Sequence, residues 1–387
     1  MSRRTLVVAG YGPVGHRLVT EVRALDRTDS WRIVVLAEEP RPAYDRVALS
    51  SLVSGRTPGD LTLPAPDSLV DVRLSTTVTG IDRVRRTVRC SDGSRHAYDA
   101  LVLATGSRPF VPPVPGHDLP HCLTYRTIDD IEALRAAARP GEPGVVIGGG
   151  LLGLEAADAL RGLGMRPHVV EAAPRLMPLQ VDAGGGRLLA SLVRELGIEV
   201  HCGATTVSVD ADRVRLADGA EIEAGLVVFS AGIRPRDELA SAAGLATGER
   251  GGFLVDDGLR TADERIWAIG ECAAVEGRCH GLLAPGLRMA AAVARRLLGL
   301  DHTPFTDTGQ PTRLKLLGID VSGFGDIHAR TEGAIEFSEA DRAGGRYRKL
   351  VLGADGRTLL GRVEVGTAPT GTAPTNPAPT GTAPVRA

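Results

Sequence analysis

Two glycine-rich turns, each set between a short apolar run and an amphipathic stretch, constrain the fold of this chain most. The first, Gly10-Tyr11-Gly12-Pro13-Val14-Gly15, follows the apolar run Thr5–Ala9 and precedes a helical pattern over His16–Leu25. A second apolar run, Trp31–Leu36, leads to the carboxylate of Glu38. This order of strand, turn, helix, strand and acid predicts one half of a doubly wound α/β domain.

The glycines of this turn have separate physical tasks. Gly10 permits the tight turn, Gly12 lets the backbone approach a pyrophosphate, and Gly15 lets the helix pack closely on the strand. The amino end of the helix favours the anion, and Glu38 can accept hydrogen bonds from ribose hydroxyls. The residues predicted to bind a dinucleotide here are Gly10, Gly12, Pro13, Val14, Gly15 and Glu38.

The same arrangement recurs in the middle of the chain. A strand over Gly144–Ile147 precedes the turn Gly148-Gly149-Gly150-Leu151-Leu152-Gly153, and a helix over Leu154–Leu163 follows it. The next strand, Pro167–Val170, ends at Glu171. One glycine fingerprint is weak evidence, but two complete units predict two dinucleotides, one tightly held and one exchanging. The second set of predicted contacts is Gly148, Gly150, Leu151, Leu152, Gly153 and Glu171.

Composition excludes several other classes of function. The formal net charge of −2 lacks the basic excess that phosphate contacts demand, so nucleic acid is not an expected partner. The most apolar stretch, Gly286–Leu300, is interrupted by three arginines, so no membrane partner is expected. The five cysteines form no Cys-x-x-Cys pair, and we see no export signal or metal-ligand spacing. We therefore expect no disulfide, no metal and a cytoplasmic location.

Two further motifs carry a family resemblance over residues 1 to about 300. They are Leu101-Val102-Leu103-Ala104-Thr105-Gly106-Ser107-Arg108-Pro109 and Ile266-Trp267-Ala268-Ile269-Gly270-Glu271-Cys272-Ala273. With the two turns, they resemble the FAD-dependent pyridine nucleotide oxidoreductases. The resemblance implies an α/β fold with two Rossmann-like dinucleotide-binding domains, as in glutathione reductase, and a small C-terminal α+β domain. The cofactor contacts that it adds are Arg46, Val78, Ala104, Thr105, Gly106, Arg108, Gly232, Gly270 and Glu271.

Within that family, one branch is most similar. The segments over residues 40–51, 281–285 and 312–326 resemble the amino-terminal reductase portion of assimilatory NADH nitrite reductase large subunits. The electron-transfer subunit of assimilatory nitrate reductase is similar too. Full nitrite reductases continue into iron–sulfur and sirohaem domains held by cysteines, and no cysteine follows Cys279 here. The resemblance therefore implies a reductase that does not itself reduce nitrite in that manner.

The expected chemistry needs no thiol. Residues 39–56, where the disulfide reductases of the family carry their cysteines, contain none. In ferredoxin reductases a glutamate early in the second helix approaches the nicotinamide, so Glu155, expected in the first turn, is the predicted catalytic residue. The alternative is a partner for the helix dipole. The charge of Glu171 favours NADH over NADPH because it repels a 2′-phosphate, although Arg175 could weaken that preference. Cys272 is expected to be a small buried side chain.

The resemblance implies that hydride passes from NADH to FAD and that electrons then reach a redox protein. The acceptor is an iron–sulfur, haem or molybdenum protein, and nitrate or nitrite assimilation is the expected setting. Alternatives are an NADH oxidase or quinone reductase with a small acceptor, and an FAD-bearing redox sensor or scaffold without turnover.

Five segments make up the expected domain organisation. An FAD domain covers residues 1–110 and 233–303, and an NAD(P)H domain covers 111–232. A small domain over 304–366, with a hairpin near its end, offers an interface for a partner or a homodimer. A disordered tail rich in Thr, Ala and Pro occupies 367–387.

Overall fold

The computed structural model describes residues 3–306, 312–316, 318–341 and 343–367. By compactness the described residues form two units. The larger contains residues 3–174 and 197–306, and the smaller contains residues 175–196 with those from 312 onwards. Strands and helices are numbered along the chain below.

The first sheet of the larger unit has five parallel strands in the order β19-β7-β1-β2-β3. Strand β7 and the last four residues of β1 are buried apolar runs, as expected for a parallel sheet covered on both faces. Helix α1 (Pro13–Leu25) follows β1 and packs against α7 (Leu283–Leu297). The strands are β1 (Arg4–Ala9), β2 (Trp31–Leu36), β3 (Val70–Arg73), β7 (Ala100–Leu103) and β19 (Ile266–Ala268).

A second parallel sheet of five strands follows the order β12-β11-β10-β16-β9. Helix α4 (Leu151–Gly162) packs against β10 and β11, and α3 (Ile128–Ala137) begins with a capping box formed by Thr127 and Asp130. The strands are β9 (Cys122–Thr124), β10 (Pro143–Ile147), β11 (Arg166–Glu171), β12 (Glu199–Cys202) and β16 (Leu226–Phe229).

Smaller elements complete this unit. They are two antiparallel three-stranded sheets, a mixed three-stranded sheet and a two-stranded ribbon of β8 and β17. The strands are β4 (Val78–Asp82), β5 (Thr87–Cys90), β6 (Arg95–Ala97), β8 (Ser107–Pro109), β13 (Thr206–Val209), β14 (Arg213–Leu216), β15 (Glu221–Glu223), β17 (Ile233–Pro235), β18 (Phe253–Val255), β20 (Ala273–Val275) and β21 (Arg278–Cys279). The short helices are α2 (Pro58–Leu61) and α6 (Leu239–Ala243), with 3-10 turns at Arg46–Leu52 and Gly270–Cys272.

The smaller unit packs helix α5 (Ala183–Glu195) on an antiparallel sheet of order β22-β23-β26-β25-β24. Asp182 caps α5 at the amide of Gly185 and accepts a hydrogen bond from the Tyr347 hydroxyl. A Cβ on Gly184 would lie 2.5 Å from the Tyr347 ring, so glycine lets the helix approach the sheet. The strands are β22 (Thr312–Leu316), β23 (Ile319–Gly325), β24 (Ile335–Asp341), β25 (Arg346–Leu352) and β26 (Leu359–Thr367).

The structure has the predicted α/β class with two Rossmann-like parallel sheets, and β25 and β26 form the expected hairpin near the end of the described chain. One expectation differs from the structure. The described residues between 312 and 366 contain strands and turns but no helix, and α5 from the middle of the chain provides the helix of that unit. The boundaries between the FAD and NAD(P)H domains stay a prediction. The predicted tail lies, from residue 368 onwards, outside the described residues.

Candidate functional site

The first glycine turn is closed at its two ends and open in the middle. Gly10 has a φ of +108°, and a Cβ on it would lie 2.2 Å from the carbonyl oxygen of Ala104. A Cβ on Gly15 would lie 2.4 Å from the carbonyl oxygen of Gly10. Gly12 faces open space instead, since the nearest atom to a Cβ there is Nε of Arg46 at 3.8 Å. Packing therefore requires the outer glycines, and the middle one leaves room above the turn.

The second turn repeats this geometry. A Cβ on Gly148 would lie 2.3 Å from the carbonyl oxygen of Ser230, and one on Gly153 would lie 1.9 Å from the carbonyl oxygen of Gly148. Nothing lies within 4 Å of a Cβ on Gly150. Gly232 follows directly after Ser230 and Ala231, the segment on which Gly148 packs.

The amino ends of α1 and α4 begin at these open glycines. Gly12 and Gly150 are the N-cap residues, and neither helix has a side chain that caps it. Leu151 and Leu152 form the first turn of α4, with no acidic residue beside them. The free backbone N–H groups and the helix dipole there favour an anion. An open middle position with an uncapped helix end above it fits the pyrophosphate of a dinucleotide at both turns.

The strand after each glycine turn and its helix, β2 or β11, ends near a carboxylate. The two carboxylates have different partners. Glu171 accepts hydrogen bonds from the backbone amides of Gly149 and Ala173, both at 2.7 Å. It therefore fixes the second turn. Glu38 is exposed and forms an ion pair with Arg236, a residue that the sequence analysis did not select.

Arg46 lies beside the first turn, as its closeness to Gly12 shows. Its guanidinium pairs with the Glu39 carboxylate, donates to the carbonyl oxygen of Arg126 at 3.2 Å and lies 4.9 Å above the Tyr44 ring. The predicted FAD contact of Arg46 is therefore compatible with the geometry.

Glu271 belongs to a network that the sequence did not reveal. Its carboxylate pairs with Arg126 and accepts a hydrogen bond from the Ser107 hydroxyl at 2.9 Å. Both partners of this ion pair are largely buried. Nε of Arg126 is buried and has no hydrogen-bond partner among the described residues, so a bound polar group could accept from it. No local motif marks Arg126, because its contacts are far away in sequence.

The remaining predicted FAD residues divide into two groups. Ala104 and Gly10 pack together, and Gly270, with a φ of +77°, packs on Val14. The Thr105 hydroxyl donates to the carbonyl oxygen of Arg236 at 2.6 Å, and the next residue, Gly106, has a φ of +71°. The other group does not make these contacts. Val78 in β4 pairs with Cys90 in β5, and Arg108 in β8 forms an ion pair with Glu238. Contacts of Val78 and Arg108 with FAD stay predictions.

Glu155 lies in the second turn of α4, which corrects its expected place in the first turn. The alternative role as a first-turn partner for the helix dipole therefore loses its basis. Burial, together with a smaller contribution from the nearby Asp158 carboxylate, raises the pKa of Glu155 to about 7. A carboxyl group with this pKa can hold or release a proton close to neutral pH.

The described cysteines do not form a dithiol that could relay electrons. Cys272 is fully buried, and its Sγ lies 3.3 and 3.4 Å from the carbonyl oxygens of Ile269 and Leu103. Burial raises the pKa of this thiol, so its thiolate is disfavoured. No disulfide joins any two cysteines within the described ranges, and those ranges contain no cluster of three or more metal-ligating side chains. Every described helix is too short or too polar to span a bilayer.

Comparison with known proteins identifies relatives of this architecture. The profile of the pyridine nucleotide-disulphide oxidoreductase family matches residues 4–296. The NAD(P)H nitrite reductase large subunit of Klebsiella oxytoca is 45% identical over 371 residues, which are 94% of this chain and 39% of that protein. The assimilatory nitrate reductase electron transfer subunit of Bacillus subtilis is 35% identical and matches 90% of this chain and 46% of its own length. The chain thus spans less than half of these two relatives.

A solved structure is similar over most of its length. The ferredoxin reductase for the CYP199A2 system of Rhodopseudomonas palustris superposes with a TM-score of 0.84 at 30% identity, covering 94% of this chain and 91% of that one. The resemblance drawn from the sequence is therefore confirmed. This chain belongs to the pyridine nucleotide-disulphide oxidoreductase family and is an NAD(P)H-dependent oxidoreductase of a family that uses FAD.

Proposed function

We propose that this chain is an FAD-dependent NADH dehydrogenase that transfers electrons to a redox protein in nitrate or nitrite assimilation. The observation that carries the proposal is the pair of glycine turns within one unit, each closed at its ends and open at its middle glycine. The absence of cysteine over residues 39–56 supports transfer without a thiol relay. The two relatives from nitrogen metabolism and the ferredoxin reductase support the setting and the class of acceptor.

The residues of the first turn would hold FAD. Gly12 leaves room for the diphosphate, and the guanidinium of Arg46, whose Nε is the atom nearest to a Cβ on Gly12, would offer a positive charge to it. Glu271, held by Arg126 and Ser107, would orient the ribityl chain. FAD, when bound, supplies the conversion between a two-electron hydride donor and a one-electron acceptor.

The residues of the second turn would hold NADH. Gly150 and the uncapped amino end of α4 would receive its pyrophosphate. Glu171, already fixed by two backbone amides, retains lone pairs for ribose hydroxyls and disfavours a 2′-phosphate by charge repulsion. Glu155 would contact the nicotinamide carboxamide, and its raised pKa lets it donate a hydrogen bond near neutral pH.

The acceptor that we propose is an iron–sulfur, haem or molybdenum protein. A homodimer and a cytoplasmic location stay predictions from the sequence. Use of O₂ or a quinone is the main alternative, since the same hydride donor and flavin would serve both. The family assignment favours an enzyme over a redox sensor or scaffold.

An anaerobic stopped-flow experiment tests the proposal. Purified FAD-loaded protein is mixed with NADH and, separately, with NADPH, and the visible band of oxidised flavin is followed. We expect rapid bleaching by NADH and slower bleaching by NADPH. A band that persists with both nucleotides would refute the assignment of the two turns. Rapid peroxide formation in air, at the rate of NADH consumption, would favour the oxidase instead.

A further inference from the structure

The ribbon of β8 and β17 places two arginines directly opposite each other. In its antiparallel register Arg234 faces Arg108, with Ile233 opposite Pro109. Directly opposed residues project from the same face of a strand pair, and like charges in that arrangement are destabilising. An anion bound between the two side chains would offset this repulsion.

A cavity of about 390 Å³ lies at this ribbon. Its volume lies within the range of small-molecule sites, and its lining includes neither glycine turn. Four of the nine lining residues have apolar side chains. Four more are charged, namely three arginines and one aspartate, and the ninth is a glycine. The lining residues are Arg108, Pro109, Phe110, Val111, Arg234, Pro235, Asp237, Arg250 and Gly251.

The charge of the lining is only partly compensated. Arg108 pairs with Glu238 at 2.8 Å, but both side chains are more than half exposed, where such a pair contributes little. Neither Arg234 nor Arg250 forms an ion pair with any residue in the described parts of the chain. Asp237 is engaged by the backbone amide of Gly252 at 2.6 Å. The cavity therefore has an excess of positive charge.

One guanidinium of the cavity lies over an aromatic ring. The guanidinium carbon of Arg234 lies 4.0 Å from the centroid of the Phe110 ring. Stacking of this kind holds the planar group flat and leaves its N–H groups at the edge, directed away from the ring. Its Nη1 lies 3.5 Å from the carbonyl oxygen of Ile233. The other N–H groups of such a planar guanidinium can bind a carboxylate or phosphate in the bidentate manner.

We propose that this cavity binds a small organic dianion with a flat apolar part, such as an aromatic dicarboxylate or an aryl phosphate. Arg234 and Arg250 bind the anionic groups, and Pro109, Phe110 and Val111 contact the apolar part. The site is separate from both dinucleotide turns. The adjoining residue Arg236 donates its backbone N–H to the carbonyl oxygen of Gly106 at 2.9 Å, so the ribbon is joined to a predicted FAD turn.

Isothermal titration calorimetry on the full chain, saturated with FAD and NAD⁺, tests the proposal. The probes are phthalate, which has a ring and two charges, succinate, which has two charges only, and phthalamide, which has a ring only. We expect phthalate to bind roughly tenfold more tightly than succinate and phthalamide not to bind detectably. Equal affinity of phthalate and succinate would overturn the role of the apolar wall.

Amino-acid substitutions test whether the probe binds in this cavity. Arg234→Gln and Arg250→Gln should each weaken phthalate binding about tenfold, and Arg234→Lys should retain part of the affinity because it keeps the charge. Arg27→Gln removes an exposed arginine outside the cavity and should change the affinity less than about twofold. Unchanged affinity in both cavity variants would overturn the proposal, as would phthalate binding that occurs in the NAD⁺-free protein but is lost in the NAD⁺-saturated protein. Tighter binding of a hexaglutamate peptide, lost in the same variants, would replace the small ligand with an acidic protein surface.

Discussion

The carboxylate of Glu171 accepts the backbone N–H of Gly149 at 2.7 Å, so the acid at the end of β11 fixes the shape of the second glycine turn. Its other oxygen accepts the amide of Ala173 at the same distance. From the sequence, this residue is predicted to contact a ribose only. The structure adds a second task, because the group that would select the nucleotide also holds the turn that would bind it.

Glu171→Arg should lower the ratio of kcat/KM for NADH to that for NADPH by about tenfold or more. The substitution removes the repulsion of a 2′-phosphate and adds an attractive charge. It also removes both hydrogen bonds to the turn, so activity with either nucleotide should fall. The measurement is steady-state kinetics with a saturating artificial acceptor.

Glu171→Gln separates the two tasks of this residue. The neutral amide can accept only one of the two backbone N–H groups through its oxygen, so we expect a loss of about 1 kcal/mol in unfolding free energy and a smaller change in nucleotide preference. If Glu171→Arg leaves the preference ratio unchanged, the proposed role in selecting NADH is wrong.

The glycines of the second turn should differ sharply in their sensitivity to alanine. Gly150→Ala meets no atom within 4 Å and has a φ of −79°, so the melting temperature of the nucleotide-free protein should hardly change. Its methyl group would nevertheless occupy the space assigned to the pyrophosphate, and NAD⁺ affinity should fall at least about tenfold. Gly153→Ala places a methyl group 1.9 Å from the carbonyl oxygen of Gly148 and should destabilise the fold itself by about 2 kcal/mol or more.

Thermal denaturation and NAD⁺ titration of the same two variants check this contrast. Gly197→Ala is not a suitable control because its φ is +83°, whereas Gly59→Ala in the exposed helix α2 is free of that strain. A Gly150→Ala protein that binds NAD⁺ normally would contradict the position of the pyrophosphate.

The two parallel sheets were predictable because their signals are local. Buried strands without polar alternation, followed by glycines at fixed spacing, appear in continuous stretches of sequence at Gly10 and Gly148. Helix α5 was not predicted, because the run Gly184–Gly186 opposes helix formation by about 1 kcal/mol per residue. Packing on Tyr347 and Val365 overrides that cost, and no local pattern reports such a contact. The role of Arg126 was not predicted for the same reason, because this residue contacts Glu271 only in the folded chain.

Arg126→Ala should reduce both FAD affinity and stability. It leaves the largely buried carboxylate of Glu271 without its cation, at an expected cost of about 2 kcal/mol in unfolding free energy. The double variant Arg126→Met with Glu271→Gln removes both charges and should recover part of that loss. Chemical denaturation of the FAD-free proteins measures the stability term, and fluorescence titration measures FAD binding. Equal destabilisation by the single and double variants would show that the ion pair is not the cause.

Burial of Glu155 should make stability depend on pH in a direction opposite to that of most carboxylates. Its pKa rises from a usual value of 4.5 to about 7 in the folded chain. Between these values the folded protein keeps the proton and the unfolded chain has released it, so this group's contribution to stability falls as pH rises from 4.5 to 7. The full shift corresponds to about 3 kcal/mol, which partial exposure of the side chain reduces to about 1.5 kcal/mol.

Glu155→Gln removes this titration, because the amide stays neutral at every pH. Relative to the unsubstituted protein, the variant should be about equally stable at pH 4.5 and about 1.5 kcal/mol more stable at pH 8. Urea denaturation at both pH values measures the difference, with the exposed Glu132→Gln on α3 as the matched control. If Glu155 also donates a hydrogen bond to the nicotinamide as proposed, the rate of flavin reduction should lose its inflection near pH 7 in this variant alone. A stability gain without that kinetic change would assign the raised pKa to burial only and remove Glu155 from the proposed catalytic role.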